Sequence, residues 1–166
     1  MNALEYFVYC IQLSTYLVKM SHVFSGYHVV FVTKNRQNVI PLSERRTLYN
    51  YLYGVLTRFG CTTFRINGMG DHVHLAFDLN PRYALSDVVR DLKRGSSIAM
   101  GKEGKFPHFE GWARGFLGCS FSPADKDRIV AYITNQEEHH AGKALEAELE
   151  WLSVKAEIKF ILEDYK

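Results

Sequence analysis

The sequence predicts an α+β domain with a ferredoxin-like, β-α-β-β-α-β order of elements, followed by an added C-terminal helix and a helical tail. Segments rich in β-branched and aromatic residues alternate with segments whose apolar residues recur at helical spacing. The chain has 166 residues, 47% hydrophobic and 23% charged, which suits one ordinary globular domain. In this order two helices cover one face of an antiparallel sheet, and the other face stays available for a ligand or another element.

The first half of the domain is predicted to contain three strands and one helix. Residues 26–33, GYHVVFVT, predict a buried strand that ends at a polar turn. A helix follows between Pro41 and the stop signal Gly60, with an apolar stripe on one face. The stripe consists of Leu48, Leu52, Val55 and Phe59. Residues 61–68 and 72–79 then predict two strands joined by a tight connection.

The second half is predicted to contain a helix, a loop, a short strand and a further helix. The inner side of the first helix is formed by Leu85, Val88, Val89 and Leu92. Residues 101–111 predict a loop, and residues 115–121 predict a strand weakened by its glycines. The run Ser-Pro-Ala-Asp at 122–125 has the serine cap, early proline and acidic third residue typical of a helix start.

The domain proper is predicted to cover residues 20–140, with residues 141–166 as a helical tail of the same domain. Residues 1–19 form an extension of uncertain status, because Met20 offers a second start. This extension lacks the basic start and cleavage site of a signal peptide and is too short and polar for a membrane span. The sequence therefore predicts no membrane partner.

Cysteine usage and charge indicate a cytoplasmic protein that could meet nucleic acid. Cys10, Cys61 and Cys119 have neither CxxC nor zinc-site spacing, which favours a reducing compartment. Residues 1–136 hold 16 Lys and Arg against 10 Asp and Glu, whereas residues 137–166 hold 4 against 8. A basic body with an acidic tail permits binding to a phosphate backbone without proving it.

His72 and His74 lie one residue apart in the run DHVHLAF, which we interpret as strand. Side chains at i and i+2 of a strand point to the same face, so both imidazoles could bind one ion. A pair of structural or surface histidines is the alternative. A metal site also requires a third ligand and a reactive group.

The helix that begins at 122–125 could supply both. Tyr132 and Gln136 are four residues apart and share one helical face, next to an apolar stripe containing Ile129 and Ile133. The alternative role for Tyr132 is that of an amphipathic residue that anchors its helix.

Four segments, taken together, resemble the single-tyrosine HUH transposases of small insertion sequences, which are related to the REP-associated tyrosine transposases. The segments are 27–34 (YHVVFVTK), 71–75 (DHVHL), 112–116 (WARGF) and 132–140 (YITNQEEHH). They match in order and spacing from about residue 20 to 140, which is far more specific than any single motif.

The resemblance implies a metal-dependent reaction on single-stranded DNA. By resemblance, His72, His74 and Gln136 bind a divalent ion, Mg²⁺ or Mn²⁺, a choice that suits imidazole and amide oxygen ligands. Tyr132 is then the nucleophile, and cleavage leaves a 5′-phosphotyrosine and a free 3′-hydroxyl. No nucleotide cofactor is consumed. The sequence identifies no base for the phenol, and we interpret His139 and His140 as surface histidines at an acidic helix end.

The resemblance also implies the partners, which are DNA ends folded into hairpins and a second copy of the chain in a homodimer on the prokaryotic nucleoid. Sequence leaves open whether the tyrosine serves its own histidines or those of the partner subunit. Basic side chains are the candidate DNA contacts. They are Lys34, Arg36, Arg82, Arg90, Lys93 and Arg94, with the Lys93 and Arg94 pair favoured.

Two other functions remain open from sequence alone. A catalytically silent or domesticated relative of the same fold would bind nucleic acid or regulate without cleaving it. A plain metallohydrolase would use an activated water and leave no protein–DNA adduct. The presence of His72, His74, Tyr132 and Gln136 together favours the transposase.

Overall fold

The computed structural model describes residues 23–102, 104–136, 145–155, 157 and 161–165. The predicted extension, residues 1–19, lies outside this part of the chain, and so do His139 and His140. None of the helices in the described ranges combines the length and the apolar character that crossing a bilayer requires.

Four strands form one antiparallel sheet in the order β2-β3-β1-β4. The strands are β1 (Gly26–Val32), β2 (Thr62–Gly68), β3 (His72–Asp78) and β4 (Leu117–Phe121). The helices are α1 (Arg45–Arg58), α2 (Leu85–Lys102), α3 (Lys126–Thr134) and α4 (Leu145–Lys155). The elements from β1 to β4 confirm the ferredoxin-like prediction, and α3 and α4 follow it as the added helix and a helix of the tail.

The first face of the sheet packs against α1 and α2 and carries the main hydrophobic core. From the sheet it receives Val29, Phe31, Val73, Leu75 and Phe77, all fully buried. The apolar stripes predicted for α1 and α2 point into this core. In α1 the fourth fully buried residue is Leu56, whereas the sequence predicted Phe59. Phe59 is only partly buried because α1 ends at Arg58 and Phe59 caps it.

Glycine ends α1 in the way the sequence predicts. Gly60 has a φ of +68°, the left-handed conformation that side chains with a Cβ adopt at a cost. The neighbouring Asn80 side chain donates a hydrogen bond of 3.0 Å to the Phe59 carbonyl and so helps to satisfy the last turn. Together these two residues turn the chain from α1 into β2.

The second face of the sheet is covered by α3 and α4. Helix α3 contacts β2 and β3, and α4 contacts β4. A smaller apolar cluster joins α4 to the sheet. It consists of Val30, Val32, Ala113, Leu117, Leu149 and Leu152. The tail helix predicted from sequence is therefore present over Leu145–Lys155 and lies on the face that the ferredoxin-like core leaves available.

Strand β4 begins at Leu117, two residues later than predicted. The amide of Gly115 donates to the Asp164 carbonyl at 2.7 Å instead of to a strand partner. Lys93 of α2 also occupies the carbonyls of this segment, since its Nζ donates to the oxygens of Ala113, Arg114 and Gly115 at 2.6–3.0 Å. The Ala113 amide still donates to the Val32 carbonyl of β1 at 2.9 Å, so the competing hydrogen bonds keep residues 114–115 out of the sheet.

Candidate active site

His72 and His74 lie side by side on β3, on the face of the sheet that α3 and α4 cover. Their strand partners on β1 are Val32 and Val30, which belong to the apolar cluster beneath α4. The two rings are 1% and 0% exposed, and their centroids are 4.9 Å apart. The strand geometry expected from the i, i+2 spacing is therefore present, in a buried setting.

A neighbour holds the Nδ1 atom of each histidine ring. The Oδ1 atom of Asp71 lies 2.6 Å from Nδ1 of His72, and Nε2 of His28 lies 2.9 Å from Nδ1 of His74. Burial lowers the pKa of His28 to about 4, against a smaller opposing effect of the Glu148 charge, so this ring is neutral at pH 7. Because Nδ1 is engaged in both rings, Nε2 is the atom that each offers to a ligand.

Helix α3 brings Tyr132 and Gln136 to these histidines within one chain. The Tyr132 ring lies 5.9 Å from the His28 ring and 6.2 Å from the His74 ring, centroid to centroid. Gln136 is fully buried at the end of the helix. The side-chain amide of Asn67 on β2 donates to the carbonyls of Ile133 and Thr134, at 2.8 and 3.1 Å, and fastens this end of the helix to the sheet.

Sequence analysis missed Glu148 on α4, and it gave no role to Asp71 and His28, which hold the histidine rings. The Tyr132 hydroxyl donates a hydrogen bond to Glu148 Oε1. The same oxygen accepts a bond of 3.2 Å from Gln136 Nε2 and lies 3.6 Å from His74 Nε2. The sequence of the tail, residues 141–166, contains no chemical motif that singles this residue out. The available signal was a carboxylate within the apolar stripe that contains Leu149 and Leu152.

The carboxylate changes the acidity of the tyrosine. Burial raises the pKa of Tyr132, and the hydrogen bond to Glu148 and its negative charge raise it further, against a smaller lowering by Gln136. The phenol is therefore protonated at neutral pH, with its proton directed at a carboxylate. Sequence analysis identified no base for this phenol, and the structure puts one in contact with it.

The donor atoms fit a divalent ion. One ligand atom each from His72, His74 and Glu148 lie within 4.8 Å of one another, and all three residues are buried. Two imidazoles and a carboxylate suit a borderline cation such as Mn²⁺ and are a common ligand set for zinc and iron as well. Gln136, the third ligand predicted from sequence, lies beside this group in contact with Glu148.

A cleft of about 620 Å³ opens beside the tyrosine, between α3, β4 and α4. Its lining includes His28, Phe121, Arg128, Tyr132 and Trp151. The Trp151 ring stacks on Tyr132, with centroids 6.0 Å apart and an interplanar angle of 26°. The Tyr132 side chain therefore borders a space of the size that ligand sites occupy.

The predicted DNA contacts are spread over the molecule. Lys34 and Arg36 follow β1 and pair with Glu110 at 3.0 Å and with Glu146. Arg82 is exposed in the turn after β3. The remaining three lie on α2, across the sheet from the histidines. There Arg90 pairs with Asp87 at 2.7 Å and Arg94 is exposed, while Lys93 donates to the three carbonyls described above. Their role in binding DNA stays a prediction.

Comparison with known proteins agrees with this geometry. A protein-family model described as IS200-like transposase matches residues 23–136. A solved structure from Deinococcus radiodurans R1, assigned as a transposase, is similar at 27% identity and a TM-score of 0.55, over 70% of this chain and 94% of that one. No curated protein matches the chain.

A second solved structure is that of a REP-associated tyrosine transposase bound to a REP hairpin. It shares 15% identity with a TM-score of 0.57, and the similarity covers 73% of each chain, which supports the fold alone. The resemblance based on four short segments is confirmed by the family model, which spans well over half of the sequence. The chain therefore belongs to the IS200-like transposase family.

Proposed function

We propose that this transposase cleaves and rejoins single-stranded DNA at hairpin-bearing ends, with Tyr132 as the nucleophile and a divalent ion at the buried histidines. The observation that carries the proposal is the meeting of the Tyr132 hydroxyl, two oriented histidines and a carboxylate at one point beside an open cleft. A structural tyrosine that only anchored its helix would not need two histidines oriented beside it.

His72 and His74 would hold the ion, with Gln136 as the further ligand expected from the family resemblance. When bound, Mg²⁺ or Mn²⁺ would neutralise charge on the phosphoryl oxygens and orient the 3′ leaving oxygen. Asp71 and His28 keep the two rings in place, which limits the reorganisation needed at the site.

Tyr132 performs the transfer step. Its Oη forms a bond to phosphorus, the bond from phosphorus to the 3′ oxygen breaks, and the DNA 5′ end stays joined to the protein. The phenolic proton passes to Glu148, which already accepts it in a hydrogen bond, and the departing 3′ oxygen takes a proton from water. In the reverse step a 3′-hydroxyl gives its proton to hydroxide and attacks the phosphotyrosine, the bond from phosphorus to Oη breaks, and Oη recovers its proton from Glu148.

A DNA hairpin is the substrate that the comparisons favour, because one similar structure is that of a transposase bound to a REP hairpin. In this chain the lining of the cleft beside Tyr132 includes Arg128, which pairs with Asp125 at 2.7 Å, and the rings of Phe121 and Trp151. Cations attract the phosphate backbone and aromatic rings stack on unpaired bases, so these groups suit a single strand entering the site.

The decisive experiment looks for the covalent intermediate. The protein is incubated with Mn²⁺ and a labelled single-stranded hairpin oligonucleotide, and products are separated under denaturing conditions. We expect a protein–DNA conjugate with wild type and with the control Tyr53→Phe, whose tyrosine is exposed on α1. We expect none with Tyr132→Phe, His72→Ala or added chelator. A conjugate that persists in Tyr132→Phe, or none in wild type, contradicts the proposal.

A further inference from the structure

We propose that Glu148 is a direct ligand of the divalent ion, so that the metal is bound by His72, His74 and a carboxylate from the C-terminal helix and fastens α4 to the sheet. This inference rests on the metal-dependent function proposed above. It departs from the ligand set expected by resemblance, in which Gln136 is the third ligand. It also concerns a part of the chain beyond the residues that the family model matches, 23–136.

The distances fit one ion. Ligand atoms that each bind one ion at about 2.1 Å lie roughly 3 to 4.2 Å from one another. Glu148 Oε1 is already 3.6 Å from His74 Nε2, and the three ligand atoms lie within 4.8 Å of one another. The distance from Glu148 to His74 is already within that range, and the upper bound of 4.8 Å exceeds the range by about 0.6 Å.

Charge and burial favour Glu148 over Gln136 as the ligand. The carboxylate is 8% exposed and lies among side chains that are fully buried, where a negative charge is costly unless a cation or several hydrogen bonds compensate it. A divalent ion supplies that compensation, and a carboxylate neutralises part of the ion's charge, which an amide oxygen does not. Coordination of the ion by Glu148 therefore stabilises the site more than coordination by Gln136 would.

Gln136 has a different role in this arrangement. Its Nε2 donates to Glu148 Oε1 at 3.2 Å. The Gln136 amide therefore turns its nitrogen, which is not a metal ligand, toward the proposed ligand Glu148. Gln136 is a positioning residue for the carboxylate, as Asp71 and His28 are for the two histidines. Each of the three ligands then has at least one neighbouring side chain that orients it.

A ligand on α4 couples the ion to the docking of the helix. Leu149 and Leu152 pack on the sheet with Val30 and Val32, and Trp151 stacks on Tyr132. Docking of α4 brings Glu148 to the ion and so strengthens ion binding. By thermodynamic linkage, the bound ion strengthens the docking of α4 by the same factor. The metal thereby sets the position of the helix that borders the DNA cleft.

The first test measures Mn²⁺ binding by calorimetry on the full chain, without DNA. We expect one ion per wild-type chain and an affinity at least about tenfold weaker in Glu148→Gln. The control Glu150→Gln removes an exposed carboxylate two residues away on the same helix and should bind as wild type does. Circular dichroism checks that both variants fold.

The second test uses wild type alone, so that it does not depend on how a variant folds. Hydrogen exchange of the backbone amides in Leu145–Lys155 is measured with and without Mn²⁺, and the ion should slow it. An unchanged affinity in Glu148→Gln, or exchange in α4 that the ion leaves unaltered, overturns the inference but not the proposed function. If wild type binds no Mn²⁺, both fail.

Discussion

At the scale of single residues, the site depends on neighbours that orient its reactive groups. His72 and His74 each have Nδ1 engaged, by Asp71 and by His28, and both partners reach them through side chains rather than backbone. The Tyr132 hydroxyl and the Gln136 amide both donate to one oxygen of Glu148. The geometry of the site is thus carried by a few polar contacts among buried groups, where each contact is worth more than at the surface.

Asp71 gives a direct test of this orientation. Replacing Asp71 with Ala leaves the His72 ring in place but removes the acceptor that fixes its tautomer. We expect the affinity for Mn²⁺ to fall about 10- to 100-fold, measured by calorimetry. The control Asp127→Ala, an exposed carboxylate on α3, should leave it unchanged. Equal affinity in Asp71→Ala and wild type would show that the carboxylate does not act through His72.

The buried thiol of Cys61 predicts a loss of stability at alkaline pH. Burial raises the pKa of Cys61 above its usual value of 9.0, and the charge of Asp78 raises it further, against a backbone hydrogen bond that lowers it. The unfolded chain therefore loses this proton at lower pH than the folded chain does. The thiol contributes its full stability below pH 9, and the contribution declines as pH rises through the folded pKa.

Urea unfolding of wild type and Cys61→Ala at pH 8 and pH 10 measures this effect. The free energy of unfolding should fall more between the two values in wild type than in the variant, because only wild type has the Cys61 thiol to ionise. Parallel declines in the two proteins would contradict the assignment.

At the scale of elements, the apolar patterns place the helices, and single residues set their ends. Helix α1 ends where Gly60 takes a left-handed conformation, and β4 begins late because hydrogen bonds from Lys93 and to Asp164 hold the preceding segment. Helix α4 shows how an element can carry function without a motif. Its stripe predicts a packed helix, and the one acid within that stripe enters the active site.

Gly54 inside α1 and Gly60 just after it have opposite expected effects on stability. A Cβ at Gly60 would require a strained φ and would meet the Asn80 side-chain nitrogen at 2.8 Å. Gly60→Ala should therefore lower the free energy of unfolding by about 1–2 kcal/mol. Gly54 is exposed inside the helix, with nothing within 4 Å of its added Cβ, so Gly54→Ala should raise it by about 0.5–1 kcal/mol. Chemical denaturation measures both, and changes of the same sign would refute the prediction.

At the scale of the whole molecule, one chain brings Tyr132 and both histidines together. Helix α3 lies over its own β2 and β3, with Tyr132 beside His74 of the same chain. Sequence left open whether the site forms within one subunit or between two. In the single chain Tyr132 lies beside its own histidines, and the homodimer implied by the resemblance stays a prediction.

Mixing two inactive variants separates the two forms of assembly. Tyr132→Phe lacks the nucleophile, and His74→Ala lacks a ligand, so each alone should form no covalent DNA conjugate. The two variants are mixed and their subunits are allowed to exchange. If the site assembles within one chain, the mixture forms no covalent DNA conjugate. Assembly between chains would restore conjugate formation in part of the mixed dimers, and that recovery would disprove the arrangement seen in the single chain.

Much of the fold and part of the site could be predicted because their signals are local in sequence. The period of apolar residues separates helix from strand within about ten positions, and it places His72 and His74 on one face. The i, i+4 spacing likewise predicts that Tyr132 and Gln136 lie close together, although α3 ends at Thr134 and Gln136 follows it by two residues. The partner of each histidine ring could not be predicted, because the contact of His28 with His74 depends on which strands become neighbours.

The sequence by itself determined the order of elements, the face of β3 that bears the histidines and, through four short segments, the family. Only the tertiary structure decided that Glu148 joins them. Residues 74 and 148 are far apart along the chain, and no local pattern records a contact made when α4 docks on the second face of the sheet. Periodicity is a property of neighbours in sequence, whereas an active site is a property of neighbours in space.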